Sequence, residues 1–151
     1  MSEDIIGIDL GTTNSAVGVV ESGFPILLAN EEGERIIPSA VSYRKDGSAV
    51  VGSAALRARG AGAEVITSVK RYMGRRYGEF NEEPCGLART EARNGGVLVG
   101  GKTPQQVSAE ILRELKRIAE MQLERELAKA VITVPAYFND AQRNATKEAG
   151  E

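Results

Sequence analysis

The chain has 151 residues, a formal net charge of −2, one Cys and neither His nor Trp. Its length favours one domain of modest size with a sizeable core, and its composition is that of a globular chain. The residue types exclude Cys/His zinc clusters, Cys-His dyads and Ser-His-Asp triads. Cys85 has no second cysteine to pair with, and no targeting or membrane-spanning stretch is visible, so we expect a cytoplasmic protein. The near-neutral charge gives no reason to expect nucleic acid or a membrane as partner.

The first fifty residues alternate apolar runs with turn-forming residues, a pattern typical of β-strands. The sequence predicts an antiparallel meander with strands at 5–10, 16–20 and 24–28. After a turn at 30–34, it predicts a hairpin with strands at 40–43 and 49–51. This part of the chain is therefore expected to be mostly β.

The pattern changes at Ser53, which we expect to be the N-cap of a short helix over 53–59. Residues 77–95 have the composition of a loop. Residues 97–99 indicate a short strand that two glycines end.

A longer helix is predicted to begin after Thr103. Thr103 and Gln106 are spaced as a capping box, and Pro104 suits the first helical position. Apolar residues then recur at helical spacing, and the helix is expected to run to about residue 127. The apolar positions are Val107, Ile111, Leu112, Leu115, Ile118 and Leu123.

The C-terminal segment is predicted to be a buried strand at 130–134, which Pro135 stops, followed by a helix. Either Asn139 or Asp140 can cap that helix, which starts at about residue 141. The helix has little apolar surface and, apart from Gly150, no stop signal. We therefore expect the 151 residues to be a fragment.

The first candidate site is the turn after the first strand. Asp9 interrupts a strand that is expected to be buried, where a carboxylate needs hydrogen-bond partners or a cation. Gly11 lets a ligand approach the backbone, and an Asp beside such a turn can hold Mg²⁺ through its waters. Groups suited to a phosphate follow on Thr12, Thr13 and Asn14. The alternative is a capped hairpin turn without a ligand, since the segment is neither a Walker loop nor a dinucleotide fingerprint.

The second candidate is a basic run, with six basic residues and one acidic residue between positions 57 and 76. Its ordinary interpretation is a solvated surface. The functional interpretation is that apolar neighbours anchor the segment, so that Lys70 or Arg71 reaches an anionic ligand.

The third candidate is the connection from the strand at 130–134 to the last helix. A helix N-terminus at the end of a strand is a favoured ligand location in α/β proteins. The alternative is a plain connection in which Tyr137 and Phe138 pack in the core.

Taken together, these segments resemble the N-terminal part of the ATPase domain of the seventy-kilodalton heat-shock chaperones, the DnaK family. The resemblance covers essentially the whole chain and is carried by residues 8–15, 30–39, 69–75 and 130–143. The first segment also resembles the equivalent turn of sugar kinases in the same superfamily, whereas the last is the most specific. Residues 77–102 match poorly.

The resemblance implies an α/β, actin-like ATPase (ribonuclease H-like) fold, of which the chain is the first lobe only. Residues 1–38 and 104–151 would form the inner subdomain, and residues 39–103 the outer one. The family hydrolyses ATP to ADP with Mg²⁺ and uses the cycle to control binding of unfolded polypeptides in protein folding and the stress response. The implied partners are unfolded polypeptide clients, a J-domain co-chaperone and a nucleotide exchange factor.

The resemblance also implies a role for individual residues. Two positions match catalytic residues of the family. Asp9 matches the carboxylate that holds Mg²⁺ through water, and Lys70 matches the lysine that contacts the γ-phosphate and the attacking water. The family's turn that holds the β- and γ-phosphates is matched here by Gly11, Thr12, Thr13 and Asn14. Pro135 and Arg143 match a pair that relays the nucleotide state to the peptide-binding domain.

The rest of the family's nucleotide site has no counterpart in these 151 residues, so we expect the chain alone not to hydrolyse ATP. Two alternatives stay open on the sequence. One is a fragment of a sugar or acetate kinase of the same superfamily, and the other is a non-catalytic interaction module.

Overall fold

The computed structural model describes residues 5–74, 89–91, 97–99, 101–127, 129–134 and 138–151. Within these ranges the chain forms ten strands, three α-helices and one short 3-10 helix at Val69–Tyr72. The strands are β1 (Ile5–Leu10), β2 (Asn14–Glu21), β3 (Phe24–Leu27), β4 (Ile37–Pro38), β5 (Ala40–Tyr43), β6 (Ala49–Val51), β7 (Ile66–Thr67), β8 (Arg89–Glu91), β9 (Val97–Val99) and β10 (Lys129–Thr133). The α-helices are α1 (Ser53–Gly60), α2 (Pro104–Leu123) and α3 (Asp140–Gly150).

The larger sheet has the strand order β10-β1-β2-β3, and β4 also pairs with β2. β1, β2 and β3 are antiparallel neighbours, which confirms the predicted meander. β10 runs parallel to β1 and places Thr133 directly opposite Asp9. This pairing brings together two side chains that the sequence separates widely, and it defines one end of the site described below.

One face of the larger sheet carries the core. Along β1, the side chains of Ile6, Ile8 and Leu10 are buried, whereas the alternate positions, Asp9 among them, face the other side. This alternation follows from the two-residue period of a strand. Helix α2 packs against β1 and β2 with an apolar stripe. The stripe consists of Val107, Ile111, Leu115 and Ile118, all fully buried.

Helix α2 begins as predicted and ends earlier than predicted. The side chain of Thr103 accepts from the Gln106 N–H at 3.1 Å, and the Gln106 side chain accepts from the Thr103 N–H at 2.9 Å. The helix ends at Leu123 because Glu124 adopts a left-handed conformation with φ of 56°. The predicted end near residue 127 is therefore wrong. None of the helices in the described ranges is long and apolar enough to cross a membrane.

β10 is more exposed than predicted. The sequence indicated a buried strand, but Val131 is 61% exposed and most of its neighbours in the strand are exposed too. The reason is topological, because β10 pairs only with β1 among the described residues and so forms an edge of the sheet. Of the two residues that the sequence offered as the cap of α3, Asn139 and Asp140, it is Asn139 that caps the helix, in a capping box with Gln142.

A smaller sheet, with the order β6-β5-β7, packs against α1. Its β5–β6 pairing confirms the predicted hairpin. The prediction that Ser53 caps α1 is wrong, because the N-cap is Gly52, with φ of 83°. The Ser53 hydroxyl instead donates to the Glu34 carboxylate at 2.6 Å.

β8 and β9 form a two-stranded antiparallel sheet. β9 is the strand predicted at 97–99, whereas β8 falls inside the segment predicted to be a loop, so that prediction is wrong over three residues. The rest of that predicted loop, including Cys85, lies outside the described residues.

Candidate functional site

Lys70 lies beside the end of β1. Its Nζ donates a hydrogen bond to the carbonyl oxygen of Leu10, the last residue of that strand. Lys70 belongs to the 3-10 helix, which is anchored by the buried side chains of Val69, Tyr72 and Met73. Only 8% of Lys70 is exposed, so its ammonium is held in place rather than solvated like an ordinary surface lysine.

Burial is the main influence on the charge of Lys70. It lowers the pKa of the Lys70 ammonium below its usual range, and the nearby carboxylate of Asp9 partly offsets the effect. The Nζ also lies 5.6 Å from the centroid of the Phe138 ring, a distance at which the ring's negative face attracts a cation. The ammonium is therefore kept near the strand end by a carbonyl, a carboxylate and an aromatic ring.

Asp9 lies on the open face of the sheet. The expectation that this carboxylate is buried is wrong, because the alternation along β1 turns its neighbours into the core and Asp9 away from it. Thr133 Oγ1 donates a hydrogen bond to Asp9 Oδ1 at 3.2 Å. An exposed carboxylate that one hydroxyl orients is available to a cation and its waters.

Residues 11–14, which we call the 11–14 turn, connect β1 to β2 without an intervening helix. A Cβ atom on Gly11 would lie 2.0 Å from the carbonyl oxygen of Asn14, so only glycine fits there. Thr13 and Asn14 are exposed and Thr12 is partly exposed. Their hydroxyl, amide and backbone groups are thus accessible to an anion.

The single carboxylate placed beside the turn, that of Asp9, suits Mg²⁺ better than a metal that needs a full protein cage. Among the described residues, no group of three or more His, Cys, Asp or Glu side chains comes together. Mg²⁺ keeps several waters and is commonly held by one or two carboxylates together with substrate phosphates. Asp9 beside the 11–14 turn fits that pattern.

Among the other predicted residues, Arg143 has a described contact. It lies in the first turn of α3 and donates from Nε to the main-chain carbonyl oxygen of Phe138 at 3.2 Å. Pro135 and Tyr137 lie outside the described residues, as does the side chain of Arg71.

Two residues of this neighbourhood were not predicted as functional. Thr133 has no local signal, because its role depends on the pairing of β10 with β1. Phe138 was predicted to be a packing residue; it is indeed buried, and it also contacts the Lys70 ammonium. Within the basic run, Arg57 follows the ordinary interpretation and forms a solvated ion pair with Glu32 at 3.5 Å.

A comparison with protein-family models finds one that matches residues 5–151, the model described as Hsp70 protein. That family has the actin-like ATPase fold, and the mixed sheets and helices described above agree with part of one lobe of it. Its members are chaperones that generally bind ATP or ADP with Mg²⁺. Because the match spans nearly all of the chain, this protein belongs to the Hsp70 family.

Proposed function

We propose that this chain holds the phosphates and Mg²⁺ of ATP in an Hsp70-type ATPase, which couples hydrolysis to the binding and release of unfolded polypeptides. The observation that carries the proposal is the hydrogen bond from Lys70 Nζ to Leu10 O. This bond holds a buried ammonium at the end of β1. The same end of the strand carries the Asp9 carboxylate and leads into the 11–14 turn.

Each group has a distinct task in this proposal. The main-chain and side-chain donors of Thr12, Thr13 and Asn14 hold the β- and γ-phosphates. Asp9 holds Mg²⁺ through its waters, and the ion, when bound, neutralises phosphate charge. Lys70 has three donor hydrogens, of which the Leu10 carbonyl takes one, so the others can reach a γ-phosphate. There the positive charge stabilises the charge that develops in phosphoryl transfer.

We also propose that the 151-residue chain alone does not turn over ATP. The described groups that suit phosphate and Mg²⁺ lie at one end of β1, on the open side of the sheet. Hydrolysis also needs groups that enclose the nucleotide from the opposite side. These groups exclude bulk water and position the water molecule that attacks the γ-phosphate. In the same proposal, unfolded clients, a J-domain co-chaperone and an exchange factor act on the complete protein.

The binding test uses the chain itself with Mg²⁺ and a set of phosphates. We expect ATP, ADP and inorganic tripolyphosphate to shift the amide resonances of Thr12 and Thr13, and AMP to leave them unchanged. Lys70→Ala should weaken the response to ATP and tripolyphosphate by no more than about tenfold. Lys45→Ala, in the exposed β5–β6 turn, is the matched control and should not weaken it. If none of these phosphates binds, the proposal fails.

A test of ATP hydrolysis and peptide binding distinguishes the proposed ATPase lobe from a non-catalytic interaction module. We expect Mg²⁺-dependent ATP hydrolysis by the chain to stay at background, and a fluorescent unfolded peptide not to bind it. Turnover at the level of complete family members would contradict the proposal of inactivity. Peptide binding without nucleotide binding would favour a non-catalytic interaction module instead.

A further inference from the structure

Ser39 is the single residue between β4 of the larger sheet and β5 of the smaller one. It is 3% exposed, and its hydroxyl and N–H are directed to the 11–14 turn. Its hydroxyl donates to the carbonyl oxygen of Gly11 at 2.8 Å, and its N–H donates to the carbonyl oxygen of Thr13 at 2.9 Å. One buried residue therefore holds two carbonyl groups of the turn.

A second serine completes the arrangement. The hydroxyl oxygens of Ser15 and Ser39 are 2.7 Å apart, and Ser15 is 1% exposed. A serine hydroxyl has a single hydrogen, and that of Ser39 is given to Gly11. Ser15 must therefore be the donor to Ser39, and the chain of hydrogen bonds has one direction, from Ser15 through Ser39 to Gly11.

The direction of these carbonyl groups fixes the direction of the N–H groups that follow them. In a planar trans peptide, the C=O of one residue and the N–H of the next point in opposite directions, and no described peptide is cis. Since the Gly11 and Thr13 carbonyls point to Ser39, the N–H groups of Thr12 and Asn14 point away from it. The Ser39 hydroxyl thus fixes the direction of the Thr12 N–H, and the main-chain N–H of the same residue fixes that of the Asn14 N–H.

We propose that Ser39 is a positioning residue that presets the 11–14 turn for phosphate, an inference that rests on the proposed function of that turn. Gly11 removes the steric obstacle to the tight turn, and Ser39 selects one orientation of its peptides. A turn with fixed N–H groups binds an anion without the entropy loss of ordering it. Ser39 does this without contacting the phosphate.

The test compares Ser39→Ala with Ser42→Ala in the 151-residue chain. Ser42 is a matched control because it is equally buried, and its hydroxyl donates to a backbone carbonyl, that of Glu64 at 2.9 Å, in the smaller sheet. Ser39→Thr retains the hydroxyl and should behave like the wild type in both measurements. Two quantities are measured: the affinity for inorganic tripolyphosphate with Mg²⁺, and the NMR order parameter of the Thr12 N–H in the free chain, which reports how firmly that group is oriented.

We expect Ser39→Ala to lose about five- to tenfold in affinity and to lower the order parameter of the Thr12 N–H, with Ser39→Thr near wild type. Ser42→Ala should destabilise the fold to a similar degree and leave both quantities unchanged. Equal losses in the two alanine variants, or wild-type affinity in Ser39→Ala, would overturn the inference. If the wild-type chain binds no phosphate, the proposed function fails. An order parameter of the Thr12 N–H that Ser39→Ala leaves unchanged would then reject the positioning role separately.

Discussion

The ammonium of Lys70 donates a hydrogen bond to the main-chain carbonyl of Leu10, sixty positions earlier in the chain. Because Leu10 directly precedes Gly11, this bond ties the 3-10 helix to the start of the 11–14 turn. The buried neighbours of Lys70 restrict how far its side chain can move. A charged group and a set of phosphate donors are therefore held together before any ligand arrives, which is the arrangement that electrostatic stabilisation of phosphoryl transfer requires.

The first prediction concerns the role of Lys70 in a complete Hsp70 ATPase that contains this chain. Lys70→Ala should lower the single-turnover rate of ATP hydrolysis by about a hundredfold or more, because the lost charge acts mainly on the transition state. Nucleotide affinity should remain within about tenfold, since the 11–14 turn and Asp9 are unchanged.

Lys45→Ala is the control for that prediction, because Lys45 is an exposed lysine in the turn between β5 and β6. It should leave both the rate and the affinity at wild-type values. Loss of nucleotide binding with an unchanged single-turnover rate in Lys70→Ala would remove Lys70 from the catalytic role.

The second prediction is a pH dependence of stability. Burial lowers the pKa of Lys70 in the folded chain, so between that lowered value and the unfolded value near 10.5 the unfolded chain binds more protons. The free energy of unfolding of the wild type should therefore rise with pH across this window, relative to Lys70→Met. Urea unfolding of both proteins from about pH 8 to about pH 10.5 measures the difference. Lys45→Met should show no such trend relative to the wild type, and a flat difference for Lys70→Met would contradict the prediction.

Local signals in the sequence predicted local structure well. The capping box at Thr103 was predicted because both partners lie within three positions of each other, and Asn139 was one of the two caps predicted for α3. The left-handed conformation at Glu124 was not predicted, because no glycine stands there to indicate it. The exposure of β10 was not predicted either, because it depends on the order of the strands in the sheet.

The candidate site shows the same division between local and distant information. The composition of the 11–14 turn indicated phosphate chemistry, and the resemblance to a family indicated Lys70. The exposure of Asp9 follows from the alternation with Ile8 and Leu10 along β1, which is a local pattern. The partners Thr133 and Ser39, in contrast, arise from pairings across 28 to 124 positions. Pairings of that kind are set by the fold of the whole chain, so the sequence near each residue carries no sign of them.

The third prediction tests the steric requirement at Gly11. A Cβ atom there would lie 2.0 Å from the Asn14 carbonyl oxygen, so Gly11→Ala must open the turn. We expect the affinity for Mg²⁺ with tripolyphosphate to fall at least about tenfold, because opening the turn changes the directions of its N–H groups. Gly60→Ala is the control, since a Cβ atom at that helical glycine meets nothing within 4 Å. Wild-type affinity in Gly11→Ala would show that the turn does not bind the phosphates.

The last prediction concerns Gly74, where the segment that carries Lys70 meets helix α3. Gly74 has φ of 69°, and a Cβ atom there would lie 2.5 Å from the carbonyl oxygen of Ala141, in the first turn of α3. Gly74→Ala combines a left-handed conformation with a clash against backbone, whereas Gly101→Ala, at φ of 81°, meets nothing within 4 Å. The Gly101 variant should lose about 1–2 kcal/mol of stability and the Gly74 variant more.

The affinity for phosphate shows whether the contact between Gly74 and helix α3 also affects the candidate site. Because Gly74→Ala must move either α3 or the segment before Gly74, the contact between Phe138 and the Lys70 ammonium should loosen. We therefore expect the Gly74 variant to bind Mg²⁺ with tripolyphosphate about threefold or more weakly than the Gly101 variant, under conditions where urea unfolding shows both to be folded. Equal stability in the two variants would mean that α3 yields without strain. Equal affinity would mean that the position of Lys70 does not depend on α3.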